Sequence, residues 1–123
     1  MGSRLSPAER ALRALTEDDW RDSVLDYAES FGWSVAYFRA GRTAYGWRTP
    51  VGADGKGWPD LTLVRERIVF AELKRETGEL EPEQTEWRDR ILAAGGEWYL
   101  WRPRDADRVL EVLRRRSPGG AAP

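Results

Sequence analysis

The stretch "LTLVRERIVFAELK", from Leu61 to Lys74, constrains the fold more than any other part of this chain. Apolar residues alternate on both sides of Arg65-Glu66-Arg67, the period-2 pattern of two strands joined by a tight turn. With the turn centred on Glu66, Val64 stands opposite Ile68 and Thr62 opposite Phe70. Leu61, Leu63, Val69, Ala71 and Leu73 then share one face, an uninterrupted core surface. The other face turns charged at one end only. There Asp60 falls opposite Glu72, and Lys74 lies ~6.6 Å further along the same side.

Carboxylates opposed across two strands repel one another. A divalent cation between them reverses the sign, and Mg²⁺ suits such a place because it takes a few oxygen ligands and keeps several waters. A lysine beside that cation can hold an attacking water or offset charge developing on a phosphate. Asp60, Glu72 and Lys74 therefore make a candidate site for metal-assisted phosphodiester hydrolysis. Each piece alone has a plain explanation. Pro59-Asp60 after Gly57-Trp58 is a turn signal, and a Glu-x-Lys triplet is common in so charged a chain. Their shared hairpin face is what joins them.

Composition narrows the chemistry. The chain has no cysteine and no histidine, which excludes disulfides, thiol catalysis, histidine bases and His- or Cys-ligated zinc. A metal here must use oxygen ligands, which favours Mg²⁺, Mn²⁺ or Ca²⁺. No apolar run approaches the ~18 residues of a membrane span, and "MGSRLSPAERALRAL" lacks a signal-peptide core, so a cytoplasmic protein is expected.

With 123 residues the chain has room for one domain. We expect an extension at 1–15, a folded domain at 16–116 and a disordered polar tail at 117–123. Thr16 is an N-cap, and Trp20, Val24, Tyr27, Ala28 and Phe31 recur at helical spacing until Gly32 stops the run. "WSVAYFR" reads as a strand, and Ala40–Trp58 as a long loop. After the hairpin, "GELEPEQTEWRDRILAAGG" reads as a helix with Pro82 near its first position and Gly95-Gly96 ending it. "EWYLW" is a fourth strand, and "RDADRVLEVLRRR" a last helix with Ala106, Val109, Leu110 and Leu113 inward. The order is α-β-β-β-α-β-α, an α/β fold with a mixed four-stranded sheet flanked by helices.

Net charge is −1, but its distribution is uneven. The Ala40–Trp58 region and its approach carry Arg39, Arg42, Arg48 and Lys56, with Tyr45, Trp47 and Trp58 between them. Arginines neutralise phosphates and aromatics stack on unpaired bases, a pairing suited to branched or partly single-stranded DNA. A solvated loop with Trp47 tucked onto the core is the other reading.

In order, "EDDW", "FGW", "GWPDLTLV", "AELK", "EPEQTEW" and "AAGGEWYLWRP" resemble the PD-(D/E)xK nuclease superfamily. Within it the likeness is to the stand-alone VRR-Nuc type of phages and bacteria, related in fold to Holliday junction resolvases. The resemblance covers Glu17 to Leu113. It implies a restriction-endonuclease-like core in which Asp60 and Glu72 bind Mg²⁺ or Mn²⁺, with the Leu73 carbonyl as a third ligand. Lys74 would orient or activate the nucleophilic water. Glu17 would be the first-helix acid that reaches the metal, a place Asp18 or Asp19 also fits. Gln84 would support the site, and helical spacing independently puts it on one face with Trp87, Arg88 and Ile91. One departure concerns the strand after "FGW", where the family often carries a histidine and this chain has Tyr37 or Phe38. Tyr37 either replaces that contact or packs in the core.

Three functional classes follow. The first is a metal-dependent, structure-selective DNA endonuclease acting on junctions or branched DNA. Symmetric cutting of a four-way junction implies a C2 homodimer, with Trp98 or Trp101 either at that interface or in the core. The second is a catalytically silent DNA-binding or complex-assembly module with a nuclease fold. The third is an interaction domain whose motif is coincidental.

Overall fold

The computed structural model describes residues 4–38, 41–43, 46–48 and 52–117, with 41–43 and 46–48 as backbone alone. Two capped helices open the chain. In α1 (Pro7–Ala14) Ser6 and Glu9 form a capping box, and none of its residues is buried. In α2 (Glu17–Ser30) the Thr16 hydroxyl accepts from the Asp19 N–H, and the Asp19 carboxylate accepts from the Thr16 N–H. These bonds satisfy donors that a helix start leaves without intrahelical partners. Gly32, at φ 82°, lets the chain leave α2 in the left-handed region and enter β1 (Ser34–Tyr37).

The main sheet has the order β1-β4-β5-β6. β4 (Leu61–Val64) pairs antiparallel with β1 and with β5 (Ile68–Leu73). The hairpin register is the one its alternation predicts, Val64 opposite Ile68 and Thr62 opposite Phe70. α3 (Pro82–Ala93) then carries the chain to β6 (Glu97–Trp101), which lies parallel to β5. A 3₁₀ turn at Pro103–Asp105 precedes α4 (Ala106–Arg114), so the last helix begins slightly later than its sequence pattern implies. The fold is α/β, with an open four-stranded mixed sheet and four α-helices among the described residues.

The Ala40–Trp58 segment departs from the expected loop. It contains a second hairpin, β2 (Gly41–Thr43) against β3 (Gly46–Arg48), with Arg42 opposite Trp47. Alternation of Thr43, Tyr45 and Trp47 is a strand signal, but the glycines and Pro50 around it read as loop.

Each face of the main sheet has its own cover. Leu61, Leu63, Val69, Ala71 and Leu73 are fully buried beneath Trp20, Val24 and Ala28 of α2 and Val109, Val112 and Leu113 of α4. The other face takes α3. There Trp58 packs edge-on between Phe70 (centroids 5.4 Å apart) and Trp87 (4.9 Å). The Trp87 indole donates to the Asp54 and Lys56 carbonyls, pinning residues 54–58 to α3. Gly57 permits that approach, because a Cβ there would meet the Glu83 carbonyl carbon at 2.5 Å and φ is 86°. Trp58 is therefore committed to packing and is not a free stacking platform. Trp101 likewise belongs to the core, at 1% exposure, which removes it from any dimer interface.

Two long-range ties fix the ends of these elements. Arg65 and Arg67, flanking the hairpin turn, both lie over the Trp33 ring. Arg65 donates to the Phe31 and Leu113 carbonyls and Arg67 to that of Val112, so the hairpin tip caps α2 and α4 at once. At the other end the Trp101 carbonyl accepts from the Trp20 indole N–H at 2.9 Å and the Lys74 N–H at 3.2 Å.

Candidate metal and nucleic-acid site

Asp60 enters β4 one residue before the paired ladder, and Glu72 and Lys74 leave β5 at the same end of the sheet. Leu61 opposite Ala71 extends to Asp60 opposite Glu72, the juxtaposition expected from the hairpin. The Asp60 Oδ2 accepts from the Leu73 N–H at 2.9 Å, which fixes the carboxylate across the strand end. A strand residue's N–H and C=O lie on the same edge, so the Leu73 carbonyl borders the Asp60 carboxylate too.

Among the described residues Glu72 is the one buried charged residue, at 1% exposure. Its Oε1 accepts from Gln84 Nε2 at 3.0 Å. Gln84 in turn accepts the Glu81 N–H on its own Oε1 at 2.7 Å, so its amide is held at both ends. Helical spacing had put Gln84 toward the sheet, and there it lies. The second Glu72 oxygen, Oε2, is buried with no hydrogen-bond partner. An unpaired buried carboxylate oxygen is costly, and two species relieve it: a proton or a cation.

The proton's side of that choice is visible in the electrostatics. Burial pushes the Glu72 carboxyl well above the ordinary carboxylate range, followed by hydrogen bonding to Asp60 in the protonated form and by the Asp60 charge. Lys74 pulls the other way, and Glu17 adds to the rise. Glu17 is itself raised, first by burial and then by Asp60, with Lys74 opposing. Glu17 is thus the acid of the α2 start that faces the site. Asp19 is taken up by the cap, and Asp18 pairs with Arg21 at 3.0 Å.

Among the described residues no group of three or more Asp or Glu side chains is placed to hold a metal ion. Glu17 lies within electrostatic reach of Asp60 rather than in one cage with it. What the site offers is two opposed carboxylates, a main-chain carbonyl and a half-buried lysine. That donor set is all oxygen, and the unpartnered Glu72 Oε2 is the atom a hard cation would satisfy, so the residues fit Mg²⁺ or Mn²⁺.

The expected phosphate contacts are placed only in part. Lys56 is largely exposed and lies 3.2 Å from the Glu83 carboxylate, an ion pair of the weak surface kind. Arg39 and the side chains of Arg42, Arg48, Tyr45 and Trp47 lie outside the described residues, as do residues 118–123 of the expected tail. Tyr37 is not core: it is 46% exposed, with the Arg21 guanidinium 5.1 Å from its ring centre. Phe38, which with Tyr37 stands where the resemblance leads one to look for a histidine, sits beside the site. Its N–H donates to the Asp60 carbonyl at 3.1 Å, continuing the ladder in which Tyr37 faces Leu61. Its pairing with Asp60 has no local signal, because which strand flanks β4 is a long-range fact.

Comparison with family models, with curated proteins and with solved structures finds no match.

Proposed function

We propose that this chain is a Mg²⁺- or Mn²⁺-dependent DNA endonuclease with a restriction-endonuclease-like core, hydrolysing phosphodiester bonds in branched or partly single-stranded DNA. The observation that carries the reading is the buried Glu72, whose Oε2 has no partner and whose strand neighbour across the sheet is Asp60. The PD-(D/E)xK likeness of "WPD", "AELK" and "EPEQTEW" supports it. Asp60, Glu72 and the Leu73 carbonyl would hold the cation, with Glu17 outside them. When bound, such an ion polarises a phosphoryl oxygen and makes a coordinated water more acidic.

The chain's own groups supply the rest. Gln84 holds Glu72 Oε1 and the Leu73 N–H holds Asp60 Oδ2, so each carboxylate keeps its other oxygen for a ligand. The Glu72 proton would give way to a cation held there and pass to solvent. The Lys74 ammonium, on the same face, would hold the attacking water and offset negative charge at the phosphate. Lys56 and the arginines of residues 39–48 would contact the backbone on either side. Opposite cuts in a four-way junction need two such sites, hence a C2 homodimer of a cytoplasmic protein.

The test is cleavage of a labelled panel of four-way junction, flap, single strand and duplex, with Mg²⁺, Mn²⁺ or EDTA. Metal-dependent cutting by the wild type and none by Lys74→Ala is expected. Binding without cutting under every condition would select the silent DNA-binding module instead. Equal cutting by wild type and Lys74→Ala would remove the proposed site.

A further inference from the structure

The strand ladder runs past Tyr37–Leu61 to one more pair, Phe38 with Asp60, closed by the Phe38 N–H on the Asp60 carbonyl. Directly opposed residues of an antiparallel pair share a face, with Cα atoms ~4.5–5.5 Å apart. Phe38, Asp60 and Glu72 therefore form one row across the same side of three strands. The first member of that row is a phenyl ring, 50% exposed. Among the described residues no aromatic ring or cation is stacked on it, whereas Arg21 already lies over Tyr37. The other tryptophans near this end are occupied: Trp58 and Trp87 pack on each other, and Trp101 is in the core.

Half of Phe38 is open to solvent, and among the described residues nothing stacks on its ring. Next to a phosphate site it has an available partner, a nucleobase face. We infer that Phe38 stacks an unpaired base flanking the scissile phosphate, which makes the substrate DNA with an unstacked nucleotide at the cut. The inference rests on the nuclease reading above. Neighbouring strands lie ~4.8 Å apart, so a ring one strand over from Asp60 lies within reach of a base attached to or next to the bound phosphate. In continuous duplex both faces of that base are covered by its neighbours. Only a branch, flap or single strand frees one without the cost of pulling a base from the stack. Phe38 would thus select structure rather than sequence, because every base has a π-face.

A cycle tests this. Cleavage of a flap and of plain duplex is measured for wild type, Phe38→Trp and Phe38→Leu, each with a normal or an abasic nucleotide beside the cut. Phe38→Leu keeps the apolar bulk and loses the ring face. It should lower kcat/KM on the flap by about 5- to 150-fold and on duplex by far less, while Phe38→Trp retains flap activity. The abasic flap should bring wild type down to the Leu level and cost the Leu variant nothing more. Equal losses on flap and duplex, or abasic losses of the same size in both proteins, overturn the inference while leaving the nuclease reading intact. If the wild type cuts nothing, that reading fails, and binding of a single-stranded oligonucleotide carrying 2-aminopurine decides this one. Fluorescence quenching by wild type and Phe38→Trp but not by Phe38→Leu supports stacking; no quenching, or a Phe38 effect confined to RNA, overturns it.

Discussion

Glu72→Gln should stabilise the metal-free protein at neutral and alkaline pH, although it removes a residue of the proposed active site. The Gln84 amide would still donate to the new side-chain carbonyl, as it does to Glu72 Oε1. The new NH₂ would replace the unpartnered Oε2 and point a donor toward Asp60. Folding obliges wild-type Glu72 to take up a proton and makes no such demand of the variant, a difference of about 1.4 kcal/mol for each pH unit above 4.5, or roughly 1–3 kcal/mol between pH 5.5 and 6.5. In a domain of this size each kcal/mol moves Tm by roughly 3–5 °C, so Tm should rise by roughly 3–15 °C over that range. The pH dependence has a definite sign. Glu72 binds its proton more tightly in the folded chain than its ordinary value of 4.5 implies. Wild-type stability therefore falls as pH rises above that value toward the folded-state pKa, and the variant lacks this slope. The two proteins should converge near pH 4.5 and diverge at pH 8. Divalent cation narrows the gap: at 100 times its Kd a ligand stabilises the wild type by about 2.7 kcal/mol, and the variant loses most of that. Thermal unfolding by circular dichroism at pH 5, 6.5 and 8, in EDTA and in MgCl₂, reads all of this. A Glu72→Gln Tm at or below wild type at pH 8 in EDTA would refute the reasoning.

Other perturbations separate chemistry from scaffold. Lys74→Ala should leave Tm and the circular dichroism spectrum unchanged while cleavage falls by several orders of magnitude; Asp60→Asn should lose cleavage and also weaken Mg²⁺ binding, measured by calorimetry. Gly57→Ala should cost about 1–3 kcal/mol, read by urea unfolding, because φ is 86° and the added methyl would meet the Glu83 backbone. Trp20→Phe removes the indole bond to the Trp101 carbonyl and should cost about 1–3 kcal/mol with most of the ring burial retained.

What could be read from the sequence was whatever depends on neighbours along the chain. The hairpin register was legible because its two faces differ so sharply: a one-residue slip would bring Thr62 and Phe70 into the place of Leu61 and Ala71. The α2 cap was legible because Thr16 and Asp19 complete it within four residues. Gln84 was legible because helical spacing tied it to Ile91. The rest depends on contacts between distant segments. Nothing local says that Phe38 pairs with Asp60, that Trp58 is wedged between Phe70 and Trp87, or that Arg65 and Arg67 reach the ends of two helices. Glu17, Asp18 and Asp19 were equivalent by sequence and became distinct only when the site came near one of them.

The Trp101 carbonyl has a mechanical consequence. It receives both the Trp20 indole N–H and the Lys74 N–H, so the helix bearing Glu17 and the strand bearing Lys74 hang from one atom of β6. Glu17 lies one helical turn before Trp20, a short lever from that pivot. Displacing that one carbonyl would therefore disturb the placement of the acid and of the lysine together.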